Sequence, residues 1–326
     1  MKLRIALVII LLTNLFFLNK CTNLFSGLSE QSLTQIQTDG LFVAVDSNGD
    51  IYYSKDGVNW SENVGPGAGF GLNTITFGRG KLVAAGDDGR FFVSSSGKTW
   101  PTLPTATSAE GNSLIDITYG QNKFVAVGLT GGLYYSYDGI NWSDKRFSGT
   151  DDLYGVAYGN EKFVAVDHDS GNIYCSSDGI NWPSTATASI GTTPQDICYG
   201  NGKFAVCADS GMIYYSTDGI NWSSSSTGSA QPLYDIIYAN SKFVTVGGMG
   251  VIFYSSNGTT WTSGVGPGIS DDINSITYGN GKFVAVDKNG VYYSSDGKNW
   301  SGPVDITTNT LQCVTYTKYN AEYIEP

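Results

Sequence analysis

Carboxylates are the side chains in this sequence with the greatest capacity for chemistry. The 326 residues include 29 Asp and Glu, 18 Lys and Arg and one histidine, for a formal net charge of −11. A glycosidase needs two carboxylates about 5–10 Å apart, but spacing along the chain does not reveal which ones meet in space. The aspartates that could supply such a pair are Asp116, Asp151, Asp152, Asp196, Asp235, Asp271 and Asp272. The two Asp-Asp pairs also suit solvated loop positions.

Other catalytic and metal-binding groups are scarce. His168 lies among adjacent turn residues, which do not build a Ser-His-Asp triad, so we expect an exposed turn histidine. Residues 46–50 resemble the start of a calcium loop but lack the later bidentate Glu, which favours a hairpin turn. We predict no metal and no cofactor, and no nucleic-acid partner, because phosphate binders need a basic face.

Four cysteines lie in strand-like runs without a C-x-x-C pair, namely Cys175, Cys198, Cys207 and Cys313. We interpret them as buried thiols that act as small apolar residues. A Cys198–Cys207 disulfide within one hairpin is the alternative.

All seven tryptophans stand 39 to 42 residues apart, each at the end of one heptapeptide. Five copies keep the pattern S-x-D-G-x-x-W, as in residues 136–142 (SYDGINW), whereas Ser96 and Asn257 replace the Asp in the other two. A second element, as in residues 276–286 (ITYGNGKFVAV), recurs before the heptapeptide. A period near 40 residues, built from short strand-like runs and turn signals, indicates a β-propeller rather than a helical solenoid.

Each repeat is predicted to form four strands: A (the ITYG run), B (KFVAV), C (VYYS) and D, which begins at the Trp. Strand B is apolar at consecutive positions, as expected if both faces of each sheet are buried. The first repeat lacks a strand A, and the chain ends with an unpaired one at residues 311–316. We therefore predict a single all-β, seven-bladed β-propeller over residues 39–326, with four antiparallel strands per blade. The C-terminal strand completes blade 1.

The S-x-D-G-x-x-W string resembles the Asp-box, or BNR, repeat of sialidase-like propellers in the WD40/YVTN/BNR-like superfamily, over about residues 40–324. The resemblance implies that these boxes are structural staples rather than reaction centres. The Asp accepts backbone N–H groups, the Gly takes the left-handed conformation and the Trp buries apolar surface against the adjacent blade. This role falls to Asp56, Trp60, Trp100, Asp138, Trp142, Asp178, Trp182, Asp218, Trp222, Trp261, Asp296 and Trp300.

Sialidase activity itself is not expected. In that family three arginines grip the substrate carboxylate and an Arg-Ile-Pro motif lies near the start. After the N-terminal segment this chain has only Arg79, Arg90 and Arg146, and it has no Arg-Ile-Pro. Lysine does not replace a bidentate arginine well. The same shortage argues against the arginine-lined surface of the photosystem II assembly-factor propellers, which share this repeat type.

The repeats differ most at two neighbouring positions near the start of strand A. The first is occupied by Asn73, Ile115, Tyr154, Gln195, Tyr234, Asn274 and Gln312. The second is occupied by Thr74, Asp116, Gly155, Asp196, Asp235, Ser275 and Cys313. Both lie on the face opposite the Asp boxes, at the channel mouth. The alternative explanation is that positions next to loops vary between repeats without a functional reason.

We predict a polar and aromatic rim at this mouth that binds a ligand. Its predicted members are Asn73, Asp116, Tyr154, Asp196, Tyr234, Asp235 and Asn274. Tyrosines would give contact area and carboxylates would give orientation to a protein or glycan ligand. The expected function is that of a non-catalytic binding or scaffold module. The alternative is a glycoside hydrolase that uses paired carboxylates on the same face.

The N-terminus has the pattern of a targeting segment. Lys2 and Arg4 precede the apolar run Ile5–Leu18, which is shorter than the roughly 20 residues of a membrane span and fits a signal peptide. Cys21 follows, which resembles a bacterial lipoprotein signal, although Lys20 stands where that family has Gly, Ala or Ser. An uncleaved anchor or a differently cut signal is the alternative.

We predict a signal peptide at 1–20, lipidation at Cys21 and a tether at 21–38. The protein would be exported to a bacterial cell envelope, at the outer membrane or in the periplasm. It would be a monomer that touches the membrane only through its lipid anchor.

Overall fold

Seven antiparallel sheets follow one another along the chain and form the blades of a propeller. The computed structural model describes residues 40–317 except 68, 109–110, 146–150, 184–185, 267, 269 and 289. The predicted signal peptide, Cys21 and the tether lie outside the described residues.

Blade 1 contains β1 (Leu41–Asp46), β2 (Ile51–Ser54) and, from the other end of the chain, β27 (Leu311–Thr317). Blade 2 consists of β3 (Leu72–Gly78), β4 (Lys81–Gly86), β5 (Arg90–Ser94) and β6 (Ala106–Thr107). Blade 3 consists of β7 (Leu114–Gly120), β8 (Lys123–Gly128), β9 (Leu133–Ser136) and β10 (Ser143–Asp144). Blade 4 consists of β11 (Leu153–Gly159), β12 (Lys162–Asp167), β13 (Asn172–Ser176) and β14 (Ala188–Ser189).

Blade 5 consists of β15 (Pro194–Gly200), β16 (Lys203–Ala208), β17 (Met212–Ser216) and β18 (Ser223–Ser226). Blade 6 consists of β19 (Leu233–Ala239), β20 (Lys242–Gly247), β21 (Ile252–Ser255) and β22 (Thr262–Ser263). Blade 7 consists of β23 (Ser275–Gly279), β24 (Lys282–Val286), β25 (Gly290–Ser294) and β26 (Ser301–Asp305). The seven-bladed, all-β prediction is therefore confirmed.

The ring is closed by the two ends of the described chain. β27 pairs with β1 in antiparallel register from Leu41↔Thr317 to Asp46↔Leu311. β27 also contacts β3 on one side and β23 on the other, so the innermost strands form an unbroken circle. This confirms that the C-terminal strand completes blade 1. In place of a fourth strand there, the segment after Trp60 runs beside β2, with bonds from Ser61 N–H to the Tyr53 carbonyl and from Val64 N–H to the Ile51 carbonyl.

The hydrophobic core lies between blades rather than within them. In β4, Val83 and Ala85 pack with Phe124 of blade 3, whereas Leu82 and Ala84 pack with residues of blade 1. Consecutive residues of a strand point to opposite faces. The unbroken apolar runs of the B strands thus bury both faces of each sheet, as the sequence predicts.

Strand D starts later than predicted in two blades. It begins directly after the Trp in blades 3, 5, 6 and 7, but only at Ala106 in blade 2 and Ala188 in blade 4. In these two blades a proline, Pro101 or Pro183, follows the Trp. Proline has no N–H to donate to a sheet ladder, which delays pairing.

The S-x-D-G turns between strands C and D carry their own hydrogen bonds. In blade 3, Asp138 Oδ1 accepts the N–H groups of Ile140 and Asn141, each at 2.8 Å, while Gly139 has φ of 76°. These bonds outweigh the effect of burial and lower the pKa of Asp138. Asn257 accepts the equivalent N–H groups through its amide oxygen at 2.9 Å, so the degenerate copy in blade 6 keeps the same turn.

The indoles are less buried than the sequence suggests. Trp300 is 6% exposed, whereas the other six are half-buried. Each still packs on an inter-blade cluster, and Trp142 of blade 3 stacks on Phe91 of blade 2 at 4.0 Å. The tryptophan rings therefore pack between neighbouring blades, and six of the seven remain partly accessible to solvent.

Two faces result from this topology. The hairpin face carries the A–B and C–D turns, and the crossover face carries the B–C turns and the D–A connections. On the hairpin face, lysines at the start of strand B tie blades 2, 4, 5, 6 and 7 to the blade that follows: Lys81 Nζ, for example, donates to the Asp138 carbonyl at 3.0 Å, and Lys282 Nζ donates to the Asp56 carbonyl at 2.8 Å.

The four described cysteines are free thiols. Cys198 pairs with Ala205 and Cys207 pairs with Asp196 in the β15–β16 ladder, so the two cysteines do not face each other. The alternative of a disulfide within this hairpin is therefore wrong.

Candidate functional site

A central cavity of about 430 Å³ lies where the innermost strands meet. All seven predicted ligand-binding residues line it, although they come from several different blades and from positions up to 201 residues apart in the sequence. The remaining first-position residues, Ile115, Gln195 and Gln312, line it as well. The positions at which the repeats differ thus converge on one space, and ligand binding by them stays a prediction.

β-Bulges present the first variable position, here called the rim position, to this cavity. The ladder between the first two strands of blades 2 to 6 shifts register at this residue; in blade 4, for example, Leu153 pairs with Asp167 and Gly155 with Val166. Tyr154 is left unpaired between them. A bulge re-aims a side chain and ends regular pairing, which frees the rim residue from the inter-blade core.

The second variable position, here called the bridge position, lies one residue deeper and links neighbouring blades. Asp116 Oδ2 accepts the N–H of Val156 at 2.8 Å, and Asp116 Oδ1 accepts the N–H of Ile117 at 2.7 Å. The Val156 bond crosses from blade 3 to blade 4. Ser275 makes the same crossing in blade 7, since its hydroxyl accepts the N–H of Val314 at 3.2 Å.

Asp196 and Asp235 repeat this arrangement and also meet each other. Asp196 Oδ2 accepts the N–H of Ile236 at 3.1 Å, and Asp235 Oδ2 accepts the N–H of Ile276 at 2.7 Å. The two carboxyl groups also lie within hydrogen-bonding reach of each other, so a proton on one of them can bond to the other. These aspartates therefore line the cavity beside the rim residues, with their carboxylates held by backbone donors, and ligand binding by them stays a prediction.

Burial gives these carboxyl groups an unusual affinity for protons. It raises the pKa of Asp116 to about 6, against the bonds from Val156 and Ile117. Burial, followed by the charges of Asp235 and Asp116, raises the pKa of Asp196 well above its ordinary value. Burial also raises the pKa of Asp235, although the hydrogen bond from Asp196 opposes this. The neighbouring carboxyl groups of Asp196 and Asp235 thus resist full ionisation, and a proton on one of them is favoured.

The thiols near these carboxyl groups are held in their neutral form. Burial, and then the nearby aspartates, raise the pKa of Cys198 and Cys207 above the ordinary value, and the same causes raise the pKa of Cys313 to about 12. A thiolate is the nucleophilic form of cysteine, so these side chains are packing groups here.

The rim tyrosines lie among further polar contacts. Tyr154 stacks on His168 at 4.0 Å between ring centroids, and the His168 side chain is only 24% exposed. The expectation of an exposed turn histidine is therefore wrong, because the blade 4 bulge turns Tyr154 onto it. Tyr234 donates to Asp272 at 3.3 Å, and Gln195 donates to Asp209 at 3.1 Å.

Three of the paired aspartates in the D–A connections accept hydrogen bonds from the protein. Asp152 Oδ1 accepts the N–H of Thr130, and Asp272 Oδ1 accepts the N–H of Met249, each at 2.8 Å, so both fasten the B–C turn of another blade. Asp271 is exposed. Asp151 accepts the Tyr174 hydroxyl. Among the described residues, no group of three or more His, Cys, Asp or Glu is placed to hold a metal ion.

The comparisons with known proteins concern the fold. No family model and no curated protein matches the chain. A streptogramin B lyase structure matches with a TM-score of 0.67 at 11% identity, over 84% of this chain and 91% of that one. Virginiamycin B lyase from Staphylococcus aureus matches with a TM-score of 0.64 at 13% identity, over 73% and 86%. YCF48 bound to D1 peptide matches with a TM-score of 0.60 at 17% identity, over 76% and 85%.

These likenesses support the propeller fold and nothing finer. In the part of the chain that the structure covers, no helix is both long and apolar enough to cross a bilayer.

Proposed function

We propose that this protein is a non-catalytic binding module whose ligand docks on the crossover face and enters the central cavity. One observation carries the proposal. Side chains at the rim and bridge positions differ between blades while the other strand positions repeat, and nearly all of them line one cavity. The volume of this cavity, about 430 Å³, falls within the range of about 300–1,000 Å³ that is usual for ligand sites.

A protein ligand is the favoured partner and a glycan is the other. Half-buried tyrosines at a cavity mouth suit either, since they combine a large apolar ring with a polar hydroxyl. YCF48, which shares the fold, is seen with a bound D1 peptide. A propeller of this kind can therefore receive a peptide, which supports the proposal for this chain.

Glycoside hydrolysis is less well supported by the same carboxylates. Retaining glycosidases place their two carboxyl groups about 5 Å apart and inverting ones place them further apart, to leave room for sugar or water. Asp196 and Asp235 instead lie within hydrogen-bonding reach of each other, and Oδ2 of each accepts a backbone N–H group. This closeness leaves no room between them for the sugar or water of a hydrolysis reaction, which favours a binding role.

The S-x-D-G turns support the resemblance to Asp-box propellers, because the Asp, Gly and Ser each make the contact that a structural staple requires.

We further propose export and lipidation at Cys21. Metabolic labelling with palmitate should mark the wild-type protein and not Cys21→Ser. Equal labelling of both would overturn the lipid anchor without touching the binding proposal.

The binding proposal is tested by a pull-down and a glycan array with the purified protein and its variants. Tyr154→Ala and Tyr234→Ala should lose the captured ligand. Tyr137→Ala is the matched control, because this tyrosine is 50% exposed in a C–D turn on the hairpin face. If both rim variants keep every partner, or if only Tyr137→Ala loses one, the cavity is not the binding site.

A further inference from the structure

The geometry points to a cationic ligand group: an arginine or lysine side chain of a protein partner that enters the central cavity between the rim tyrosines and meets the carboxyl groups of Asp196 and Asp235. This inference rests on the proposed function and adds the chemistry of the ligand to it.

The floor of the cavity holds acidic groups without a cation. Asp116, Asp196 and Asp235 all line it, and each lies close enough to another to influence its ionisation. Among the described residues, no Lys, Arg or His lines the cavity. The three residues are half-buried in the cavity wall, and carboxylates with little access to water are ordinarily paired with a cation. Here the raised pKa values of Asp196 and Asp235 favour a proton in that place, and an entering ammonium or guanidinium group could take it instead.

The wall above the carboxyl groups suits the same ligand. Tyr154 and Tyr234 stand at the rim, and an aromatic face attracts a cation within about 6 Å. Carboxylates lie close to both rings. Burial, and then the charges of Asp152 and Asp169, raise the pKa of Tyr154, and Asp272 accepts the Tyr234 hydroxyl. A tyrosine beside a carboxylate binds an organic cation better than a neutral sugar, because both groups contribute attraction to positive charge.

Most lysines of the described chain lie on the hairpin face, although Lys288 is exposed in a B–C turn of the crossover face. The ammonium groups of Lys81, Lys162 and Lys242 lie on the hairpin face, where each donates to a C–D turn carbonyl at 2.9–3.0 Å. On the crossover face, Arg90 is paired with Asp88 at 2.8 Å and lies over a phenylalanine ring. An acidic cleft with low-dielectric walls raises the local concentration and the association rate of cations.

Binding of the cation should release the proton held by this carboxyl pair. The groups that face Asp196 and Asp235 are Asp116, Ser275 and the protonated thiols Cys198, Cys207 and Cys313. At the rim, the tyrosine hydroxyls and His168 lie further out. None of these facing groups supplies positive charge in place of the ligand. Affinity should therefore rise with pH as the pair loses its proton.

The test uses full-length protein labelled with ¹⁵N-isoleucine, because the N–H groups of Ile236 and Ile276 donate directly to the two carboxyl groups. It is titrated with acetyl-Gly-Arg-Gly-amide and with the isosteric, neutral citrulline peptide. The arginine peptide should shift both amide signals and the citrulline peptide should not. Asp196→Asn and Asp235→Asn should weaken arginine binding by about tenfold or more, as expected when a charge-assisted pair is lost.

The control Asp178→Asn changes a carboxylate of a C–D turn and should leave the affinity unchanged. Equal binding of both peptides, or no effect of Asp196→Asn and Asp235→Asn, would overturn the cation assignment. Spermidine binding more tightly than the arginine and lysine peptides would assign the site to free amines instead of a protein side chain. If Tyr154→Ala abolishes partner capture while Asp196→Asn does not, the cation inference fails and the binding function stands. If neither variant affects capture, the binding function itself fails.

Discussion

Replacing Asp196 with asparagine should stabilise the protein at alkaline pH. A proton on Asp196 can bond to Asp235, while Oδ2 of Asp196 accepts the N–H of Ile236. An asparagine can keep both contacts, with its amide oxygen toward Ile236 and its NH₂ toward the Asp235 carboxylate. The variant therefore fixes the arrangement that the wild-type pair adopts only while it is protonated.

The size of the effect follows from proton linkage. A carboxyl group whose folded-state pKa is raised contributes its full stability below the unfolded pKa and loses it as the pH rises through the folded pKa. For Asp116 the rise in pKa from 3.8 to about 6 corresponds to about 3 kcal/mol. The pKa of Asp196 is shifted in the same direction, and each pH unit within its window costs about 1.4 kcal/mol. The advantage of Asp196→Asn over wild type should thus grow as the pH rises from 5 to 8, because the wild-type pair loses its proton over this range.

Urea unfolding at both pH values measures this difference, and Asp116→Asn is the matched control. Both Asp116 oxygens accept backbone N–H groups, so an amide NH₂ there opposes a donor and should cost about 1–3 kcal/mol at pH 5. A constant difference between Asp196→Asn and wild type across the two pH values would refute the proton on this pair. So would equal effects of the two substitutions.

Three further outcomes follow from the fold. Deleting residues 311–326 should cause aggregation or the loss of cooperative melting, since blade 1 is then left open without β27; a soluble truncation with an unchanged melting curve would disprove closure. Asp138→Ala should lower the free energy of unfolding by about 1–3 kcal/mol, and Asp138→Asn should cost little because Asn257 makes the same turn; equal losses in denaturant unfolding would contradict this. Gly159→Ala should lower the melting temperature, because the added methyl meets the ring of Tyr199; an unchanged calorimetric transition would count against that packing.

The repeat carries most of what the sequence reveals about the fold. Seven tryptophans at a regular period specify the number of blades, and the missing first strand A specifies how the ring closes. The sequence predicts the start of strand D wrongly in two blades, because a proline directly after the Trp delays strand pairing by several residues. Such a shift depends on a single missing N–H and leaves the repeat period unchanged.

The sequence predicts which residues line the candidate site, but not how deeply each one is buried or which residues it contacts. Comparison of the repeats finds the variable residues, and the structure brings them into one cavity. The one-residue bulge that separates Tyr154 from Gly155 has no signature in a period-2 pattern. Burial of Asp196 and its contact with Asp235 depend on two blades meeting, and the stacking of His168 on Tyr154 depends on the bulge. Distances of this kind cannot be read from spacing along the chain.

The central claim is that ligands reach this protein through the cavity on the crossover face. Site-specific photo-crosslinking tests it whatever the ligand is, because the crosslinker captures any molecule that lies against it. A benzoylphenylalanine at Tyr154 samples the rim, and the same group at Tyr137 samples the hairpin face. In cells that produce the protein, irradiation should yield a covalent adduct from position 154 and none from position 137. An adduct only from position 137, or from neither position, would contradict the account.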